Sequence, residues 1–196
     1  MNTQSSLFRT VTNEKIASIF SHALQESHIE RATLLDGGMF NTTYRVVYGD
    51  QKREAVLRLG PVNRERLMGF ERNLMQAEKY VCDVCVRIGI PTSHILACDT
   101  SKSVIDRDFM IVEYIPSVVM VNAALSEEKR NALCFDLGAY LAKLHGVTGD
   151  SFGFVSRILE GNRFLTWSEA LLFEVIDITD HLAHMNGLPA AEIEAI

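Results

Sequence analysis

The residues best suited to chemistry lie between Leu34 and Leu59. They are a glycine turn, Asp36-Gly37-Gly38-Met39-Phe40-Asn41, and one cation, Arg58, inside the apolar run Ala55-Val56-Leu57-Arg58-Leu59. Glycine tolerates positive φ and lets a ligand approach the backbone closely, so the turn can aim its N–H groups at an anion. Between turn and cation runs Thr42-Thr43-Tyr44-Arg45-Val46-Val47-Tyr48, a β-branched and aromatic stretch closed by Gly49-Asp50. Such a stretch reads as one arm of a hairpin. A strand, a glycine loop and two further strands, the last bearing a cation, form a natural cradle for phosphates. Alone, a glycine hairpin is weakly specific, so its meaning depends on the elements around it.

Residues Asn13 to Gln25 are expected to form a first helix, with Thr12 or Asn13 as N-cap and Ile16, Ile19, Phe20 and Ala23 on its apolar face. After the three strands and an exposed basic connector, Asn63-Arg64-Glu65-Arg66, the spacing predicts a long helix over about 67–88. Leu67, Phe70, Leu74, Ala77, Val81, Val84 and Ile88 would form its stripe, and Gly89-Ile90-Pro91 would end it. Glu78 borders that stripe, where a carboxylate can face a strand cation. Two more strands are read at Ile95-Leu96-Ala97-Cys98 and Phe109 to Ile115. The rest is helical. One helix is capped by Ser126 with Glu127 and Glu128 in its first turn, and another runs from about Thr166 to Asn186. A last one begins at Ala190. The fold class is therefore α+β, a five-stranded, mostly antiparallel sheet with one long helix, followed by helices. Its expected parts are a helical segment 1–30, a small lobe 31–116 and the beginning of a helical lobe 117–196.

Composition excludes several classes. A chain of 196 residues with 47% hydrophobic and 22% charged residues is ordinary for a soluble globular protein. A net charge of −6 argues against a nucleic-acid surface, and no apolar run has the length of a membrane span. The N-terminus lacks a signal-peptide layout, so the expected location is cytoplasmic. Cys82 and Cys85 form a CxxC inside a helical pattern without a second pair at zinc-like spacing. They read as small buried hydrophobes, and His181 and His184 as structural or surface residues.

The succession of these segments resembles the small lobe of protein-kinase-like enzymes, and within them the aminoglycoside phosphotransferase and choline kinase branch. The resemblance is carried by Leu35 to Val46, Val56 to Leu59, Glu78 with Gly89-Ile90-Pro91, Met110 to Pro116, and Leu137 to His145. It implies ATP and Mg2+ as cofactors and a small-molecule hydroxyl as acceptor. It also implies roles for single residues. Gly37 and Gly38 let the loop approach the phosphates, and Asn41, Thr42 and Thr43 lie over them. Arg58 holds the phosphates where protein kinases use lysine, and Glu78 orients Arg58. Glu113, Tyr114 and Ile115 form a hinge whose backbone meets the adenine edge. A guanidinium is permanently charged and offers a planar fork of donors to phosphate oxygens. A plain salt bridge between sheet and helix is the alternative reading of Arg58 and Glu78.

The sequence departs from the family in one respect. The catalytic loop His-x-Asp-x-x-x-x-Asn has no match among these residues, and His145-Gly146-Val147-Thr148-Gly149-Asp150 has the wrong spacing. Metal ligands are expected beyond Ile196, and this polypeptide by itself is expected not to transfer a phosphoryl group. An exposed apolar patch on the helical part, with self-association, is the further expectation. Two alternatives compete: a non-catalytic nucleotide-binding or protein-interaction remnant, and an α+β domain whose glycine loop binds nothing.

Overall fold

The computed structural model describes residues 6–36 and 40–185. The chain forms two compact units, one made of Met1–Val62 and Lys79–Thr148, the other of Asn63–Glu78 and Gly149–Ile196. These units interleave along the chain, whereas the parts read from the sequence are consecutive.

The first unit is built on a five-stranded antiparallel sheet of order β1-β2-β3-β5-β4. Its strands are β1 (Ile29–Leu35), β2 (Thr42–Tyr48), β3 (Arg53–Leu59), β4 (Ile95–Asp99) and β5 (Phe109–Glu113). Tyr44, Val46, Ala55, Leu57, Leu59, Phe109 and Ile111 are buried on one face. They form a core with Ile16, Ile19 and Phe20 of α1 (Asn13–Leu24), whose N-cap is Thr12, one of the two residues expected there. Phe20 lies 5.0 Å from Tyr48, ring centroid to ring centroid, in the tilted geometry aromatic pairs favour. The β2–β3 hairpin turns through Gly49, held at φ 70°. A side chain there would be strained, and its Cβ would stand 2.8 Å from a Glu26 carboxylate oxygen.

Arg107, in the polar turn between β4 and β5, ties the N-terminal segment to the sheet. Its guanidinium is almost wholly buried. It donates to the carbonyls of Arg9 (2.6 Å) and Gly60 (3.3 Å). Among the described residues its Nε has no partner. The unit also contains α3 (Glu127–His145), capped by Ser126 as expected.

The long helix begins later than its periodicity predicts. The spacing points to Leu67, but α2 spans Leu74–Arg87. Two 3-10 turns, Arg64–Arg66 and Gly69–Glu71, precede it, and Asn73 adopts left-handed backbone (φ 57°). A left-handed residue cannot continue a right-handed helix. The Glu71 side chain accepts from the Met68 N–H and closes the second turn on itself. The stripe is shifted as well. Leu74 is 49% exposed, while Met75, Ala77, Val84 and Cys85 are buried.

The second unit holds the turns before α2 against α4 (Val155–Leu159), a helix the sequence reading missed, and α5 (Trp167–His184). Arg157 is buried here with Glu174, to which it makes two hydrogen bonds of 3.0 and 3.1 Å, and Asp177 accepts a third at 2.5 Å. The Ser156 hydroxyl donates to the Phe70 carbonyl, and Phe70 stacks on Phe154 at 5.4 Å. Thr166 caps α5 in a reciprocal arrangement with Glu169. The expected helix from Ala190 lies outside the described residues. Among the described residues, no helix is long and apolar enough to cross a membrane.

Candidate functional site

Strand register builds the site. Successive side chains of a strand point to opposite faces. Because α1 covers the face of Tyr44, Leu57 and Ile111, the other face presents Thr43, Arg45, Glu54, Val56, Arg58 and Val112. All six are half-buried. Arg58 sits opposite Thr43 on one side and Met110 on the other. Thr43 is the second residue of β2, so Arg58 stands on the central strand near the end of the sheet at which β2 begins. At the far end of β3, Ala55 pairs with Glu113, where β5 ends and the expected hinge begins. Ala55 and Arg58 are separated by three strand steps, about 10 Å. An apolar strip, Val56 and Val112, thus lies between a chain exit at one end and the cation Arg58 at the other. That order, exit then apolar strip then cation, matches the order of base and phosphates in a nucleotide.

The expected site residues fall as follows. Gly37 and Gly38 lie outside the described residues. Asn41 is half-buried at the turn's exit, just before β2. Thr42 is fully buried and points the other way, into the core. Its hydroxyl accepts from the Arg9 N–H (3.3 Å) and donates to the Arg9 carbonyl (3.1 Å). A role over phosphates therefore cannot use the Thr42 side chain, because β2 alternation sends Thr42 and Thr43 to opposite faces. Glu78 is half-buried on α2, in line with buried Met75 and Cys85. Its pairing with Arg58 stays a reading of the sequence. The expected strand over Phe109 to Ile115 ends at Glu113. Tyr114 and Ile115 lie beyond the ladder, and the Glu113 side chain is exposed.

Two residues of this face were not singled out in the sequence. Arg45 donates to both carboxylate oxygens of Glu54, from Nε at 3.1 Å and from one terminal nitrogen at 2.9 and 2.7 Å. Its guanidinium carbon stands 4.0 Å from the centroid of the Tyr114 ring. The signal was present: opposite charges on the two arms of one hairpin. Only the register shows that they meet. Two surface hollows lie elsewhere, one of about 470 Å³ lined by Arg9, Lys15 and Lys102, the other of about 320 Å³ along α2. Neither contains Arg58 or Tyr114. The sheet face is the candidate site because the charges and the strand order converge there.

Sheet and helices define the class, an α+β fold built on a five-stranded antiparallel sheet. The model of the phosphotransferase enzyme family, APH, matches residues 31–192, and the chain belongs to that family. No curated protein matches it. Among solved structures it is similar to a protein from Ralstonia eutropha JMP134 provisionally named an aminoglycoside phosphotransferase. Identity is 19% and the TM-score 0.47, over 69% of this chain and 38% of that one. The chain thus spans well under half the length of that protein.

Proposed function

We propose that this chain is the nucleotide-binding part of an ATP-dependent phosphotransferase that acts on a hydroxyl of a small molecule. One observation carries the reading. The register sets Arg58 opposite Thr43, near the start of β2, on the sheet face whose other end meets the chain exit at Glu113. Arg58 would hold the phosphates, for which a guanidinium fork is well suited. Val56 and Val112 would take the apolar faces of the base, and the backbone of 113–115 its polar edge. Bound Mg–ATP supplies the transferable phosphoryl group and, through its metal, part of the charge neutralisation. Among the described residues, no group of three or more His, Cys, Asp or Glu side chains is placed to hold a metal ion. Without the catalytic-loop motif, these residues are proposed to bind nucleotide and not to turn it over. Calorimetric titration with Mg–ATP tests the reading, and an absence of saturable heat would remove it.

A second reading is favoured by α3. None of its 19 residues is buried, and Leu133, Leu137 and Leu141, four residues apart along one side of the helix, are 47%, 57% and 45% exposed. Contiguous apolar surface of this kind marks an interaction site. A second copy of the chain is its proposed occupant, and sedimentation at several protein concentrations tests that. A monomer at every concentration would exclude it.

A further inference from the structure

Arg45, Glu54 and Tyr114 form a cluster at the hinge end of the sheet face that goes beyond the roles assigned above. Tyr114 is the first residue past the last ladder pair, Ala55 with Glu113, so strand pairing does not hold it. What meets its ring is the Arg45 guanidinium, 4.0 Å from the centroid. Arg45 is in turn fixed by the two-pronged pair with Glu54, with distances from 2.7 to 3.1 Å. A bidentate pair sets the plane of a guanidinium as well as its place, and a planar cation then stacks on an aromatic ring. The side chains of Arg45 and Glu54 are 37% and 32% exposed, so the pair is partly withdrawn from solvent.

We propose that Arg45 is a positioning residue. Clamped by Glu54, it holds Tyr114 and with it the chain that meets the base of a purine nucleotide. This rests on the nucleotide reading given above and assigns Arg45 to the base end of the site, away from the phosphates. The consequence is selective. Loss of the stack weakens binding of a ligand that has a base and leaves untouched a ligand that is phosphate only.

The test is calorimetric titration of the chain and its variants with Mg–ATP and with Mg–tripolyphosphate. Arg45→Met and Tyr114→Leu are expected to bind ATP roughly tenfold more weakly and tripolyphosphate as the parent does. Tyr114→Phe keeps the ring and is expected to bind both ligands normally. The double variant is expected to lose no more ATP affinity than either single change. Equal loss of ATP and tripolyphosphate affinity in Arg45→Met would show a general structural defect and overturn the proposal. So would an Arg45→Met protein that binds ATP as tightly as the parent. If the parent itself binds neither ligand, the nucleotide reading fails and the proposal falls with it.

Discussion

Replacing Thr42 by valine separates the core from the site. The two side chains are nearly isosteric, so the change opens no cavity and removes only the hydroxyl. That hydroxyl sits at zero exposure, accepting from the Arg9 N–H and donating to the Arg9 carbonyl. The carbonyl keeps a strong partner, since Arg107 donates to it at 2.6 Å, but the N–H loses the hydroxyl that accepts from it. An ordinary hydrogen bond contributes about 1 kcal/mol, and a buried donor left unpaired costs about 1–3 kcal/mol. The expected loss is therefore about 2 kcal/mol, or about 4–8 °C in melting temperature for a chain of this size. Urea denaturation measures the first, and Mg–ATP titration of the same variant is expected to give the parent affinity. A Thr42→Val protein of unchanged stability that binds ATP tenfold more weakly would refute the reasoning, because it would place the hydroxyl on the ligand.

Gly69→Ala tests the second unit. A Cβ at Gly69 would run into the Arg157 guanidinium, so the pair with Glu174 must shift, and breaking a buried pair costs about 3 kcal/mol or more. A denaturation midpoint equal to the parent's would show that this packing is wrong. Hydrogen bonding from Ser101, aided by His22, holds the Asp99 carboxyl below its ordinary range. A carboxyl with a depressed folded pKa contributes stability above its unfolded pKa of about 3.9, and that contribution is lost as the pH falls through the folded value. Asp99→Asn should be less stable than the parent at neutral pH and converge with it in acid. Stability curves that stay parallel down to the acid limit would contradict this.

Much of the fold was legible because local chemistry and tertiary structure agree. Thr12, Ser126 and Thr166 each precede an apolar helical pattern, and each accepts the N-cap hydrogen bond in the structure. The start of α2 was not legible, since Leu67 and Phe70 continue its period while Asn73 breaks it. A left-handed asparagine leaves no mark in a hydrophobic pattern. Arg107 was hidden for a different reason. Flanked by Asp106 and Asp108 in a polar turn, it reads as solvated, and only the carbonyls of Arg9 and Gly60 converging on it make its burial affordable. At the site, Arg58 stood out as a cation in an apolar strand. Arg45 did not, because the hairpin register sets it diagonal to Glu54 and its other partner, Tyr114, is distant in sequence.

The central claim is that Arg58 holds nucleotide phosphates on the sheet face opposite α1. Titration of Mg–ATP into the parent chain and into Arg58→Met tests it most directly. Saturable binding by the parent, weakened about tenfold or more in the variant as a charge-assisted contact is lost, is the predicted result. Equal binding by the two proteins, or no binding by the parent, would contradict it.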